Sequence, residues 1–165
     1  MKLQMLTPEY DAALAALIRH NLKAHGLDIP GTVYFDEGLE HLSEYYSARP
    51  DRRVYFILLD DDGALAGGIG LAEFSLFDNC AELQKLYLGD AVKGRGLGYR
   101  LIERVEDAAR ERGYRWIYLE THTNLRAALH IYEKSGYVAI DKPEAVVHAT
   151  MNRFFIKELP GAAAL

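Results

Sequence analysis

Three alternating glycines, Gly94, Gly96 and Gly98, restrict this chain more than any other feature. They sit between a β-type segment and a helical one. Upstream, Glu82 to Leu88 reads as a strand. Downstream, Leu97, Leu101, Val105, Ala108 and Arg112 recur at helical spacing until Gly113 ends the run. A chain that passes from a strand through a glycine turn into an amphipathic helix must lay that helix against a sheet. Glycine N–H groups can approach an anion closely. The first turn of the helix adds unpaired N–H groups and the positive end of its dipole. Lys93, Arg95 and Arg100 add positive charge. A pyrophosphate suits such a site, although a glycine turn with solvated arginines fits the loop alone equally well. The Gly-Lys-Ser/Thr triplet of a P-loop is absent, and Gly-x-Gly-x-Gly followed by Tyr99 departs from the dinucleotide fingerprint.

The rest of the chain supplies the layers. Thr7 and Pro8 suit the start of a first helix carrying Leu14, Leu17, Ile18 and Leu22, stopped at Gly26. Leu27 to Phe35 reads as a loop. Asp36 suits the cap of a second helix with Leu39, Leu42, Tyr45 and Tyr46, ahead of Pro50. Val54 to Leu59 and Leu65 to Phe74 read as a hairpin about the turn Asp60 to Gly63. Glycines 67, 68 and 70 in its second strand predict close backbone approach. After the glycine-loop helix come a strand at Trp116 to Leu119 and a helix capped by Thr123 or Asn124 that runs to about Ser135. Strands at Tyr137 to Ile140 and His148 to Ile156 follow. The expected order is α-α-β-β-β-α-β-α-β-β, a mixed α/β sheet with helices on its faces.

Composition narrows the function classes. With 165 residues, half of them apolar, the chain suits one domain with one core. The tail from about residue 160 reads as flexible. A net charge of −5 speaks against a dedicated nucleic-acid binder. The lone Cys80 excludes an internal disulfide. No signal-peptide pattern opens the chain, and no apolar run is long enough to span a bilayer. A cytoplasmic protein with no membrane partner is the expectation.

Lys93-Gly94-Arg95-Gly96-Leu97-Gly98 resembles the Gln/Arg-x-x-Gly-x-Gly/Ala signature of the GNAT superfamily of N-acetyltransferases. The preceding Ala81 to Leu88 is similar to the family's fourth strand. Asn124 to Tyr137, with Tyr132-Glu133-Lys134 and Gly136-Tyr137, is similar to its second motif. Lys93 stands where the signature has Gln or Arg, keeping charge but not the planar fork. Asn124 lies one residue earlier than the family's asparagine, and an N-cap role suits it at least as well. The resemblance implies a mostly antiparallel mixed sheet whose parallel fourth and fifth strands splay apart. It also implies acetyl-CoA as acyl donor, no metal, and a small-molecule or protein amine as acceptor.

The implied donor site comprises Leu86, Tyr87, Leu88, Lys93, Gly94, Arg95, Gly96, Leu97, Gly98, Tyr99, Asn124 and Lys134. An exposed strand edge at Leu86 and Leu88 would offer backbone groups to the pantetheine amides, and Gly89 suits a bulge there. Tyr132 is the expected general acid toward the leaving thiolate; a packed aromatic is the other reading. Glu82 is the expected general base, placed by strand alternation on the face of Leu88; a solvated strand glutamate serves equally. Glu120 and His148 are weaker candidates for that base and belong, with Tyr34 and Phe35, to the expected acceptor site. Cys80 has no His near it in sequence and reads as a small buried residue, and the resemblance implies direct transfer in a ternary complex. A non-catalytic acyl-CoA-binding module on the same fold is the alternative, and a homodimer through the late strands is open.

Overall fold

The computed structural model describes residues 1–146 and 150–161. Seven strands form one sheet in the order β1-β2-β3-β4-β5-β7-β6. They are β1 Lys2–Met5, β2 Val54–Leu59, β3 Leu65–Glu73, β4 Cys80–Leu88, β5 Trp116–Thr121, β6 Val138–Ile140 and β7 Arg153–Glu158. Every neighbouring pair is antiparallel except β4 and β5. Helices α1 Asp11–Ala24 and α2 Leu42–Ser47 cover one face; α3 Leu97–Glu111 and α4 Arg126–Lys134 cover the other.

Burial on both faces follows from alternation along the central strands. Val54 and Phe56 of β2 join Leu101, Ile102 and Val105 of α3. Tyr55, Ile57 and Leu59 point the opposite way, onto Leu14, Ile18 and Leu22 of α1. The amphipathic stripe that predicts α3 is thus the stripe it buries, and Gly113 takes a left-handed φ of 78° just past its end.

Several expectations are corrected. Strand β1 was not foreseen: four residues at a half-exposed edge carry little local signal and are held by pairing with β2. Thr7 makes no capping bond; Pro8–Tyr10 form a 3-10 turn and α1 starts at Asp11. Asp36 makes no capping bond either. Glu37–His41 are a 3-10 turn, and only Leu42–Ser47 are α-helical. The donor at the start of α2 is met from far along the chain, by Asp11, whose buried carboxylate accepts from the Ser43 N–H at 2.9 Å. Leu125, not Thr123 or Asn124, occupies the N-cap of α4. The start of the expected strand His148 to Ile156 and the end of the tail, 162–165, lie outside the described residues. The observed last strand is Arg153–Glu158.

Candidate active site between two diverging strands

The site begins with a fault in β4. Gly70 of β3 pairs with Gln84, but Gly68 pairs with Tyr87, so β4 carries one residue more than its partner over this stretch. The extra residue lies at Lys85, whose φ of 50° is left-handed, an unusual state for a lysine. The bulge therefore sits at Lys85 and not at Gly89, which is ordinary extended backbone at φ −66°. One extra residue inverts the alternation beyond it. Leu83 faces the α3 side, and so do Leu86 and Leu88, whereas Gln84 and Tyr87 meet side chains of the α1–α2 side. Glu82 and Leu88 consequently do not share a face.

Tyrosines from the α1–α2 side hold the bulge. A Cβ at Gly70 would lie 2.5 Å from the Tyr46 hydroxyl oxygen, and one at Gly68 would collide with the Tyr55 ring. The close approach signalled by these glycines is therefore aromatic packing across β3. Resting there, Tyr55 donates its hydroxyl to the Lys85 carbonyl at 2.7 Å. Tyr46 donates to Gln84 Oε1 at 2.7 Å, and Gln84 Nε2 donates to Glu82 Oε1 at 2.7 Å. The relay fixes one oxygen of Glu82.

Beyond Glu82 the two parallel strands separate. They pair only at Cys80–Trp116, Ala81–Ile117 and Glu82–Tyr118, although β4 continues to Leu88 and β5 to Thr121. Lys85 and Leu86 have no register partner on β3 either. Beyond Glu82 the edge of β4 that faces β5 thus has no strand partner and suits an extended ligand, although the Lys85 carbonyl is taken by Tyr55. The Leu88 carbonyl is partly engaged, accepting from Asn21 Nδ2 at 3.2 Å. The gap opens into a cleft of about 320 Å³ lined by β4 from Glu82 to Leu88, by Lys93, Gly94 and Gly98, by Glu120, and by Ala128, Ile131 and Tyr132 of α4.

The glycine loop closes one end of the cleft. Gly94 and Gly96 have φ of 75° and 73°, with open space where a Cβ would be. Gly96 is the N-cap of α3 and has no side chain to satisfy the first N–H groups of the helix, which stay available to an anion. Gly98 has another place: it packs against α4, where a Cβ would lie 2.8 Å from Ile131 Cδ1 and would push the end of that side chain aside. Arg95 and Arg100 are exposed beside the loop. The Lys93 ammonium is bound to Asp90 at 2.8 Å, and Asp90 also meets His20 Nε2 at 2.7 Å.

Burial sets the protonation of the central groups. It pushes the Glu82 carboxyl above its ordinary range; the Gln84 hydrogen bond opposes this and Glu120 adds to it. Burial also raises the Tyr132 and Tyr87 phenols, so both stay neutral donors well into alkaline pH. The Cys80 thiol is pushed up to about 12, chiefly by burial, which makes it a poor nucleophile.

Of the residues expected at the site, Glu82, Leu86, Tyr87, Leu88, Lys93, Gly94, Gly98, Glu120 and Tyr132 line the cleft. Arg95, Gly96 and Tyr99 belong to the loop and the first turn of α3 without lining it. Leu97 packs beside Val92, and Lys134 is exposed in the last turn of α4. Asn124 points elsewhere, donating its amide to the His25 carbonyl at 3.0 Å and tying the approach to α4 to the end of α1. In the Val33–Phe35 turn it is Val33 that lines the cleft. Tyr34 packs toward α1 and Phe35 is exposed. His148 lies outside the described residues. Sequence reasoning missed Gln84, Lys85 and Tyr55. The glycines opposite them were the available signal. Among the described residues no cluster of His, Cys, Asp or Glu is placed to hold a metal ion, and no helix is long and apolar enough to cross a membrane.

Residues 19–137 match the family model described as the acetyltransferase (GNAT) family. An uncharacterized N-acetyltransferase of Escherichia coli K12, YjgM, is 34% identical over 142 residues, 84% of this chain and 83% of that protein. A GNAT-family acetyltransferase of Staphylococcus aureus Mu50 has the same fold, with a TM-score of 0.83 at 19% identity over 96% of this chain and 98% of that one. So does yncA of Salmonella typhimurium, solved with its cofactor acetyl-CoA, with a TM-score of 0.76 at 19% identity over 100% and 97% of the two chains.

Proposed function

This chain belongs to the acetyltransferase (GNAT) family, and on that premise we propose that it transfers the acetyl group of acetyl-CoA to a primary amine by direct attack, with both substrates bound together. The observation that carries the reading is the parting of β4 from β5 after Glu82, with the open N-terminus of α3 at one end of the gap and Tyr132 on its wall. These residues fit the donor. The loop N–H groups with Arg95 and Arg100 suit a pyrophosphate, and the unpaired backbone of Leu86 suits the amides of a pantetheine arm.

The chemistry asks for a neutral amine and a stabilised thiolate. An alkylamine with a pKa of about 10.4 arrives mostly protonated. Glu82, held by Gln84 and raised by burial, takes that proton directly or through water. The nitrogen then bonds to the thioester carbonyl carbon, the C–S bond breaks, and the sulfur leaves with the electron pair. Tyr132 supports that sulfur. Its phenol is raised above its ordinary value of about 10, while the acid of a free thiolate lies near about 8.5, so full proton loss from Tyr132 is uphill. Its role is therefore to donate a hydrogen bond to the thiolate, while the proton for the thiol is the second one, shed by the nitrogen of the tetrahedral adduct as the amide forms. Cys80, buried and weakly acidic, gives no support to a covalent acetyl-enzyme.

Tyr132→Phe tests the assignment. It keeps the ring packed on Tyr137 and Phe155 and removes only the donor. Loss of a donor that acts in the transition state lowers kcat about 100-fold or more, and the Kd of acetyl-CoA stays within about threefold. An unchanged kcat would remove Tyr132 from the reaction.

A further inference from the structure

Lys85 is the residue of the cleft that acetyl transfer leaves unexplained. Its backbone is left-handed at φ 50°, a state that costs a non-glycine residue about 1–2 kcal/mol. That conformation is held by the hydrogen bond from Tyr55 to the Lys85 carbonyl, and it leaves the lysine side chain lining the cleft. Among the described residues its ammonium makes no ion pair within 4.0 Å and no hydrogen bond, unlike Lys93, which is bound to Asp90. Among the described residues, Lys85 and Lys93 are the only lysines or arginines lining the cleft, and Lys93 belongs to the donor loop. Two carboxylates, Glu82 and Glu120, line the cleft with Lys85. The acceptor half thus holds two anions suited to an ammonium and one cation with no partner.

A half-buried ammonium of this kind lacks a counter-charge in contact with it. Burial lowers the Lys85 pKa, while Asp36 and Glu82 act in the opposite sense from beyond contact distance. A carboxylate brought in by a ligand would supply the missing partner. Resting on the acetyltransfer reading, we infer that the acceptor is an amino acid, whose amine is received by Glu82 and Glu120 and whose carboxylate is bound by Lys85.

The test pairs each amino acid with the amine that lacks its carboxylate: lysine with cadaverine, phenylalanine with phenethylamine. Thiol release from acetyl-CoA gives kcat/KM for each. The carboxylate-bearing member of a pair is expected to be at least 10-fold better, a difference of about 1.4 kcal/mol. Lys85→Asn tolerates the left-handed backbone and is expected to lower that ratio by about 10-fold. Lys85→Arg should recover part of it. Melting temperature and acetyl-CoA affinity of Lys85→Asn report whether the bulge survives, and the wild-type ratios stand whatever the variant does. Decarboxylated amines that match or exceed their amino acids overturn the inference, as does a ratio indifferent to Lys85→Asn in a folded variant. Absence of thiol release with every amine removes the acetyltransfer reading together with it.

Discussion

The bond from Tyr55 to the Lys85 carbonyl is a small change to remove and a large one in its expected effects. Tyr55→Phe keeps the ring over Gly68 and Gly70 and deletes only the hydroxyl that donates at 2.7 Å. A buried carbonyl left without a partner costs about 1–3 kcal/mol. Lys85 borders an open cleft where water can reach, so the lower part of that range applies, about 1–2 kcal/mol. For a chain of this size each kcal/mol moves the melting temperature by about 2–4 °C, giving a fall of about 2–8 °C. The bulge is also where β4 leaves the register of β3, close to its departure from β5, so acetyl-CoA binding should weaken by about 3- to 10-fold if half or all of 1.4 kcal/mol falls on the binding-competent form. Calorimetric melting and titration with acetyl-CoA measure the two effects. Tyr46→Phe is the control: it breaks the bond to Gln84 without touching the Lys85 carbonyl. A Tyr55→Phe protein that melts within about 1 °C of wild type and binds acetyl-CoA unchanged would refute the claim that this hydroxyl holds the bulge.

Three further outcomes concern Gly98 and Glu82. Gly98→Val forces a side chain against Ile131 where a Cβ alone would lie 2.8 Å away; it should cost about 1–3 kcal/mol in denaturant melts and weaken acetyl-CoA more than it lowers stability, and equal binding would contradict the packing assigned to Gly98. Glu82 must be ionised to act as base, so kcat/KM should fall on an acid limb above the usual carboxylate value of about 4.3, and Glu82→Gln should abolish that limb. The stability sign is the reverse. A carboxyl whose folded pKa exceeds its unfolded one contributes fully below the unfolded value and loses that contribution as pH rises through the folded value, so Glu82→Gln should gain on wild type over that window. An acid limb retained in Glu82→Gln would assign the base elsewhere, with Glu120 the next candidate.

The legible part of this molecule was the part written locally. The stripe Leu97, Leu101, Val105 and Ala108 gave α3, and the glycine loop before it gave the uncapped start of that helix. Three motifs in order gave the family. What escaped was set by partners distant in the chain. Strand β1 exists because β2 offers it an edge. The start of α2 is capped by Asp11, 32 residues before Ser43. The bulge at Lys85 needs Gly68 and Gly70 across the ladder and Tyr55 beyond them, so strict alternation along β4 put Glu82 and Leu88 on one face when the extra residue separates them. Asn124 reads as a cap or a ligand contact from its position, yet its amide is spent on the His25 carbonyl, 99 residues away.

Acetyl transfer from coenzyme A to an amine in the gap between β4 and β5, as proposed above, can be measured directly. The most direct measurement mixes the protein with acetyl-CoA and an amine panel and follows free thiol and acetylated amine together. Amine-dependent thiol release matched one for one by N-acetylated product is expected, lowered about 100-fold or more in Tyr132→Phe. Acetyl-CoA bound at the site with no release by any amine, amino acids included, would contradict it and leave a binding module in place of an enzyme.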